Sequence, residues 1–456
     1  MPSVLAPRRM TQWLNPYSPV LLGAIVALIS LPLATSEELL AADSYRLEET
    51  LTDSDIFGVE STISIKGELL TPQQETAIAH TLEVDAKLRY VEQRLEGAGR
   101  DARAYRALRQ YLDCKATINV SDNQVQSILR PERSQIAVHG NRQGLKRVST
   151  EGPLTRNELD LLETPGDSLA VVALLPERSV EIGDSWSVPD WALQMLTATD
   201  AVLKNEMTCT LDKVEANVAY ISFKGSLEGA TGGSPCKITV EGEFTFLTDL
   251  KFLKKLTLTQ TEDRSAGPVS PGLKVTAKVS LDRYPAVNPD VIPENADELV
   301  PLQPTDEQLA LELVTPWKFS LIHSRNWHVF QQTVSSTTLR YIEDGSFIAQ
   351  CDLIKLSDAL PGRHVSSNQF QLDIRKSLGG QLSKLGDLEE SKLDNGVITY
   401  YVVAEGKARE LDMTWLYYLT ASPDGKQTSF VFSVESDLLP QLGDEHQQMI
   451  ESVQFK

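Results

Sequence analysis

Six histidines are the side chains of this sequence that could bind a metal ion or transfer protons near neutral pH. They are His80, His139, His323, His328, His364 and His446. No two of them form His-x-His or His-Glu-x-x-His, the spacings that present two imidazoles to zinc. His323 and His328 flank a predicted hairpin turn, where they either share a metal across the turn or face the solvent separately. The spacing therefore predicts no metal-binding residue.

A second candidate for chemistry is Ser168, in the string Gly-Asp-Ser-Leu at residues 166–169. The string resembles the motif of a hydrolase family with a nucleophilic serine. Such a serine needs a general base within hydrogen-bond reach, and that family takes it from an Asp-x-x-His motif that this sequence does not contain. We therefore interpret residues 165–167 as a Pro-Gly-Asp turn. Residues 183–186, Gly-Asp-Ser-Trp, indicate another turn with Trp186 packed beneath it.

The remaining catalytic and cofactor templates also fail. The sequence has no glycine-rich loop followed by Lys-Ser or Lys-Thr, no dinucleotide fingerprint and no Asp-x-Asp-x-Asp-Gly calcium loop. Carboxylates are abundant, but runs such as residues 158–163 indicate solvated faces. We therefore predict no catalytic, cofactor-binding or metal-binding residue, no cofactor and no enzymatic activity. The alternative is a hydrolase whose carboxylates are brought together only by folding.

Positive charge is concentrated in one region of an acidic chain. The sequence has 43 lysines and arginines against 63 acidic residues, a formal net charge of −20, which argues against a nucleic-acid partner. Residues 87–156, however, hold 14 basic and 7 acidic residues. Arg100, Arg103, Arg106 and Arg109 border the apolar face of a predicted helix in this region. They predict either a site for an anionic partner surface or internal pairing with the protein's own acidic groups.

The first 36 residues have the pattern of an export signal. Arg8 and Arg9 precede an uncharged apolar stretch, residues 20–34, and small residues follow it. Cleavage after Ser36 or Ala42 fits this pattern, and the alternative is a retained N-terminal anchor. No later apolar run approaches the ~20 residues of a membrane span. We therefore expect an exported protein, periplasmic or extracellular, without a membrane span once the signal is removed.

Export would permit a disulfide bond among the four cysteines. Cys209 and Cys236 are the best candidates for a disulfide bond. Each, however, alternates in step with the apolar residues of its predicted strand and so lies on the apolar face of that strand. Both therefore also fit buried free thiols, since cysteine is among the most buried residue types. A strand between them would put the two residues beyond disulfide reach.

The charged stretch of residues 81–113 positions the four arginines. From Leu82 to Tyr90 apolar and charged residues alternate with a period of two, which predicts a half-buried strand; a helical pattern fits only part of it. After a break at residues 97–99 the period changes, and apolar residues at positions 104, 105, 108, 111 and 112 gather on one face at helical spacing. We therefore predict a strand, a turn and a helix.

Most of residues 44–283 alternates in the same way between turns, which predicts a curled antiparallel sheet, with a division into two subdomains near residue 157 as an option. The segment from residue 154 onward resembles an uncharacterised family of exported bacterial proteins, in which a short Leu-Leu-Pro and Gly-Asp-Ser-Trp motif precedes a β-rich half like that of lipoprotein carriers. The strand pattern predicts a sheet curled around a core or around a ligand, and the resemblance brings no established activity. The matching residues are Leu174, Leu175, Pro176, Gly183, Asp184 and Trp186.

Residues 284–308 are rich in proline and acids, the composition of an extended linker, and they separate a C-terminal domain at residues 309–456. Strands there surround a helix capped by Ser366 or Ser367 and ended by Gly379, and a last helix ends the chain. This order resembles the PsbP-like fold, named for the lumenal extrinsic protein of photosystem II, which implies a docking or assembly module. The likeness is carried by residues 317–319, 327, 345, 400–403, 424–425 and 450–455.

Together these patterns predict an α+β protein, with a curled antiparallel β-rich N-terminal domain followed by a PsbP-like α/β/α sandwich that has an antiparallel sheet. We expect a non-enzymatic binding or scaffold protein of the bacterial cell envelope. The expected partners are an apolar small molecule or an envelope protein, and the arginines at 100, 103, 106 and 109 are a candidate site for an anionic surface.

Overall fold

The computed structural model describes residues 43–49, 56–73, 76–97, 101–286 and 288–456. Asp43–Lys456 form one compact unit. The predicted export signal, residues 1–36, lies outside the described residues. Among the helices that are described, none is both long enough and apolar enough to cross a membrane.

A thirteen-stranded antiparallel sheet forms the N-terminal part of the described chain. Its strands are β1 (Ile56–Gln73), β2 (Thr76–Leu95), β3 (Arg106–Val120), β4 (Asn123–Ile128), β5 (Gln135–Asn141), β6 (Gly144–Ser149), β7 (Ser185–Ser187), β8 (Ala201–Asn205), β9 (Thr208–Glu215), β10 (Val218–Thr231), β11 (Ser234–Leu247), β12 (Phe252–Arg264) and β13 (Gly272–Pro285). They are ordered β6-β5-β3-β2-β1-β13-β12-β11-β10-β9-β7, with β4 beside β3 and β8 beside β10.

Three short helices cover the apolar face of this sheet. Alternation along the strands sends Ile63, Leu88 and Leu256 to that face. There they join one core with Leu169 and Leu196 of the helical segment. The interior of the curled sheet is therefore occupied by the protein's own chain, where the sequence suggested room for an apolar ligand. The helices are α1 (Arg156–Leu162), α2 (Ser168–Val172) and α3 (Asp190–Thr197).

Two further sheets form the C-terminal part. The first is a three-stranded sheet of β14 (Leu311–Val314), β15 (Phe319–His323) and β24 (Gln454–Phe455). The second has eight strands, which are β16 (Trp327–Gln332), β17 (Ser336–Glu343), β18 (Ser346–Lys355), β19 (Leu382–Leu385), β20 (Glu389–Lys392), β21 (Ile398–Ala408), β22 (Leu411–Ala421) and β23 (Gln427–Glu435). The accompanying helices are α4 (Ala296–Leu299), α5 (Asp306–Leu309), α6 (Ser367–Leu378), α7 (Leu439–Leu442) and α8 (Glu445–Glu451).

The predicted α+β class is wrong, although the prediction of a β-rich chain is confirmed. Of the described residues, 54% lie in strands and 17% in helices, so the protein is mostly antiparallel β. The predicted α/β/α sandwich fails because strands β14 and β15 form much of the layer opposite α6, with only the short helices α7 and α8 beside them. The prediction of α6 itself is confirmed, since Ser366 caps it and Gly379 ends it.

The stretch that contains the four arginines is strand on both sides of its turn. The predicted strand is confirmed, because residues 82–90 lie within β2. The predicted helix is wrong, because β3 begins at Arg106. Leu112 sits in a bulge, where β2 pairs with Tyr111 and then with Asp113. The bulge interrupts the two-residue period, and burial of β3 on both faces adds apolar residues outside that period.

The predicted linker packs against the large sheet. Residues 284–308 include α4, and Ile292, Ala296 and Val300 are buried in a cluster that contains Leu108 of β3. Proline-rich composition therefore marks a tightly packed connection here. The domain boundaries at residues 157, 284 and 309 stay predictions.

All four cysteines of the chain are buried free thiols. Cys209 in β9 and Cys236 in β11 flank β10, on which they pair with Phe223 and Gly229. Two strand spacings of about 4.8 Å separate β9 from β11, and this exceeds the ~7 Å between Cα atoms that a disulfide tolerates. Burial raises the pKa of the Cys209 thiol to about 12, so the group is protonated at neutral pH.

We expect thiol titration without a reductant to find no reactive thiol in the native protein and four in the unfolded protein, because the four thiols are buried and unbridged. The measurement is the absorbance of Ellman's reagent with and without concentrated guanidinium chloride. The variant Cys209→Ser is the control and should lower the unfolded count to three. A count that rises only after reduction would reveal a disulfide and contradict this arrangement.

Candidate functional site

The structure places the arginines of the predicted basic patch in different surroundings. Arg100 lies outside the described residues. Arg103 is exposed and paired with Asp101, with 2.6 Å between Nη2 and Oδ2. Arg106 and Arg109 are buried; Arg106 donates to the carbonyl oxygens of residues 96 and 300. The described part of the patch therefore offers an anionic partner one exposed arginine, which already has a carboxylate beside it.

Arg109 lies in a buried ion network that ties α2 to the large sheet. Its Nη1 and Nη2 donate to the two carboxylate oxygens of Asp167 at 2.9 and 2.7 Å, and its Nε donates to Glu92 at 2.8 Å. Arg147 also donates to Asp167, at 2.7 Å. Burial acts to raise the pKa of Asp167, but the two arginines outweigh it and hold this pKa far below its ordinary value. Two arginines and two carboxylates balance each other in this network.

Ser168 belongs to the same network. Its hydroxyl donates to Glu92 at 2.6 Å and lies 3.0 Å from the hydroxyl of Tyr90. The serine is 0% exposed, which leaves no path for a substrate to the hydroxyl. Asp167 accepts the amide of Leu169 at 2.9 Å and so caps α2. The Gly-Asp-Ser-Leu string therefore forms the buried start of a helix.

The Leu-Leu-Pro and Gly-Asp-Ser-Trp strings, residues 174–176 and 183–186, pack against the core of the large sheet. Gly183 has a left-handed φ of 93° in the turn before β7. Trp186 packs on the core of the large sheet, and its Nε1 donates to the carbonyl of Leu174 at 2.8 Å. The two halves of the Leu-Leu-Pro and Gly-Asp-Ser-Trp motif therefore contact each other.

His323 and His328 are close enough to interact electrostatically, but the described histidines belong to no three-residue metal cluster. Within the described ranges, no group of three or more His, Cys, Asp and Glu side chains could hold a metal ion. His323 ends β15 and His328 lies in β16, and these strands belong to different sheets, so the predicted hairpin is wrong. Burial lowers the pKa of each to about 4. Both imidazoles are therefore neutral at pH 7.

A second buried ion cluster contains two arginines and, in the described part of the chain, one carboxylate. Glu49 accepts hydrogen bonds from Nη1 of Arg283 at 2.6 Å and from Nη1 of Arg94. The Leu253 amide also donates to Glu49, at 2.6 Å. Burial acts to raise the pKa of Glu49, but the two arginines lower it overall. Among the described residues, Glu49 is the only carboxylate in an ion pair with either arginine, which leaves one buried positive charge over.

An apolar pocket of about 430 Å³ borders this cluster at one end of the large sheet. It lies where the turn between β11 and β12 meets the start of β1 and the end of β13. Phe57 and Phe252 stack with their ring centroids 4.9 Å apart, and Cζ of Arg283 is 4.8 Å from each centroid. Leu250 forms an exposed lip, with 66% of its surface accessible. Nε of Arg283 has no hydrogen-bond partner in the described part of the chain.

Gly58 makes room for one wall of this pocket. It pairs with Tyr284 across β1 and β13, and a Cβ atom on residue 58 would lie 2.2 Å from the Tyr284 ring. Only a glycine therefore allows the ring to lie over β1 beside the pocket.

Apolar walls with a few converging polar groups are typical of small-molecule sites, which measure roughly 300–1,000 Å³. Lys251, Lys254 and Arg283 bring positive charge to the lining, against the single carboxylate of Glu49. The arrangement suits a ligand with an apolar body and an anionic end.

One residue of the sequence could have pointed to this pocket. Arg283 follows Val279 and Leu281 at every second position of its strand, and those two residues face the core. An arginine on an apolar parity indicates a buried charge that needs a partner. Glu49 lies 234 residues away along the chain, so no local pattern could have paired the two.

Comparison with known proteins identifies no family. No family model matches the chain, and no curated protein matches it. Among solved structures, the chain is similar to the translocator domain of autotransporter NalP from Neisseria meningitidis, with 10% identity over 84% of this chain and 90% of that one and a TM-score of 0.13. It is similar to Salmonella typhi OmpF in complex with daunomycin, with 9% identity over 85% and 99% of the two chains and a TM-score of 0.12. TM-scores of this size do not establish a shared fold.

We expect Asp167→Asn to lower the free energy of unfolding at pH 7 by about 3–5 kcal/mol, because it leaves buried arginines without their carboxylate. The stabilisation by Asp167 is present above its unfolded pKa of about 3.9 and is lost as the pH falls below that value, since its folded pKa is depressed. Urea unfolding of both proteins at several pH values measures this. The difference between them should shrink below pH ~4.

The control for this substitution is Asp101→Asn, which removes the carboxylate of the exposed pair with Arg103. It should leave the unfolding midpoint unchanged. Equal stability of Asp167→Asn and the unmodified protein at pH 7 would show that the network does not hold the helical segment on the sheet.

Proposed function

We propose that this chain is a non-enzymatic binding protein of the bacterial cell envelope, and that it holds an anionic amphiphile in the pocket beside Arg283. Its N-terminal signal pattern supports export. The observation that carries the proposal is the buried pair of Arg94 and Arg283, which share one carboxylate at the edge of an apolar pocket.

Electrostatics favours an anionic end group. A buried charge without a counter-charge costs several kcal/mol, and among the described residues Glu49 is the one carboxylate paired with the two arginines. A carboxylate, sulfate or phosphate group of a ligand in the pocket would supply a negative charge close to the buried guanidinium of Arg283. Lys251 and Lys254 add positive charge at the same pocket, which attracts anions from solution.

The shape and lining of the pocket favour an apolar body. At roughly 30 Å³ for each water-sized group, its volume holds about a dozen non-hydrogen atoms. Phe57, Phe252 and Leu250 supply apolar surface, and each buried methylene contributes about 0.8 kcal/mol. A chain of eight to ten carbons with one acidic end therefore matches both the space and the charge.

The second candidate function is a carboxylate-dependent hydrolase. It would need desolvated carboxylates that face a cleft with access to substrate. Glu92 and Asp167 are desolvated, but arginines hold both inside the core. Glu49 is the carboxylate of the pocket, and two arginines bind it. These contacts favour binding over catalysis.

The test compares three ten-carbon probes that differ in their end group, which are decanoate, 1-decanol and decyltrimethylammonium. We expect decanoate to bind at least tenfold more tightly than decanol, because a hydrogen bond to a charged group is worth about 1.5–3 kcal/mol. The cationic probe should bind most weakly. Isothermal titration calorimetry below the critical micelle concentrations measures the three affinities, and equal affinities would contradict an anion-selective pocket.

Two substitutions assign the binding to this pocket. Lys254→Glu should weaken decanoate binding roughly thirtyfold, because a charge reversal near the ligand changes the interaction by about 2 kcal/mol in water. Leu250→Asp should weaken decanoate and decanol, because it replaces apolar surface of the pocket with a carboxylate. Both side chains are exposed, so the fold should be retained. The controls are Lys355→Glu and Leu203→Asp, exposed positions outside the pocket lining, and an equal loss in the controls would refute the assignment.

A further inference from the structure

The outer face of the large sheet carries two rows of polar side chains across six neighbouring strands, from β2 through β1, β13, β12 and β11 to β10. The first row consists of Lys87, Thr62, Ser280, Thr257, Glu243 and Ser222. The second row consists of Asp85, Ser64, Lys278, Thr259, Glu241 and Lys224. We call these two rows, without Lys87, the outer groove, because they line a groove of about 940 Å³.

The charged side chains of the outer groove are unpaired. In the described part of the chain, no ion pair within 4.0 Å involves Lys224, Lys278, Asp85, Glu241 or Glu243. The hydroxyl groups are also largely available, since only that of Ser222 has a side-chain hydrogen bond, to Asp212 at 3.0 Å.

The flanking rows of the same face are different. In the row next to the outer groove, Nζ of Lys66 lies 3.2 Å from Oε1 of Glu83. In the same row the hydroxyl oxygens of Thr261 and Thr276 lie 3.3 Å apart. Further along the strands, Lys274 pairs with Asp263 at 3.8 Å and Lys237 pairs with Glu228 at 3.9 Å. On the other side, Lys255 pairs with Asp282 at 3.9 Å. Cross-strand pairing is therefore the rule on this face, and the outer groove departs from it.

The groove has the proportions of a site for one extended chain. Five strand spacings of about 4.8 Å make it about 24 Å long across the strands. Its two rows are two residues apart along each strand, which is about 7 Å. A single linear polymer that crosses the strands would contact every residue of both rows.

The charge pattern selects the chemistry of that polymer. Lysine offers only donors and an ionised carboxylate offers only acceptors, whereas a ligand hydroxyl can donate and accept. In the second row Asp85, Lys278 and Glu241 alternate in sign with Ser64 and Thr259 between them. A polyanion would meet like charges on β2 and β11, and a polycation would meet them on β13 and β10. A neutral polyhydroxylated chain satisfies both signs without any repulsion.

We propose that the outer groove binds a linear neutral oligosaccharide. The alcohol groups of the sugars donate to the three carboxylates and accept from the two lysines, and the threonine and serine hydroxyls complete the hydrogen bonds. This site shares no residue with the pocket beside Arg283, so it is independent of the amphiphile.

The test is affinity electrophoresis of the native protein in gels that contain a neutral glucan, either soluble starch or hydroxyethylcellulose, followed by calorimetry with maltohexaose and cellohexaose. We expect retardation by at least one of the two glucans. The double variant Thr257→Val, Thr259→Val keeps strand propensity and removes two hydroxyls, so it should weaken binding roughly tenfold. Thr245→Val is the matched control on the same face of β11 outside the groove, and it should bind as the unmodified protein does.

Salt distinguishes a sugar from a charged partner. Binding of a neutral glycan should change less than twofold in 1 M sodium chloride, where charges are screened beyond roughly 3 Å. Mobility unaffected by either glucan, or an equal loss in Thr245→Val and the double variant, would overturn the proposal. Binding of a polylysine or polyglutamate probe in place of the glucans, abolished by salt, would assign the groove to a charged protein segment and would also overturn it. Lys254→Glu should leave glucan binding unchanged.

Discussion

The buried ion network around Asp167 is the interaction on which the rest of this structure depends. The apolar face of a curled antiparallel sheet is unstable in water unless something covers it, and here the cover is the helical segment of the same chain. Arg109 and Arg147 reach Asp167 from two strands, and Glu92 contributes from a third. Removing one partner from a group of buried charges is strongly destabilising. Here two positive and two negative groups meet, so the network fixes the position of the helices without a residual charge.

The cluster of Glu49, Arg94 and Arg283 uses the same chemistry with one carboxylate fewer among the residues that the structure describes. Where charge is balanced, as around Asp167, a buried network serves the fold. Where it is unbalanced beside an apolar pocket, it is an energetic cost that an anionic ligand can remove. The two clusters are equally buried, and they differ in the charge count of their described residues and in the apolar pocket that borders the second one. Ser168 lies in the first cluster, where its hydroxyl has an acceptor at 2.6 Å but no surface exposure.

Alternation with a period of two predicted the strands well, since one face of most strands is buried and the other is exposed. It failed after residue 99, where β3 is buried on both faces and Leu112 occupies a bulge. The failure also misplaced the arginines, because a helix would have kept Arg106 and Arg109 on the surface. Their partners could not be found from local pattern, since Asp167 is 58 residues from Arg109. The C-terminal helix α6 was predictable because its cap and its stop are local features.

The two proposed sites use alternate residues of the same strand, which face opposite sides of the sheet. On β13, Arg283 points into the core, whereas Lys278 and Ser280 point into the outer groove. A slip of one residue in the pairing of β13 would exchange the two faces and carry Lys278 into the core. The ion pair of Arg283 with Glu49 opposes such a slip, because it would separate a buried charge from its carboxylate. The register that forms the pocket beside Arg283 therefore also holds the two rows of the outer groove in alignment, although the two sites share no side chain.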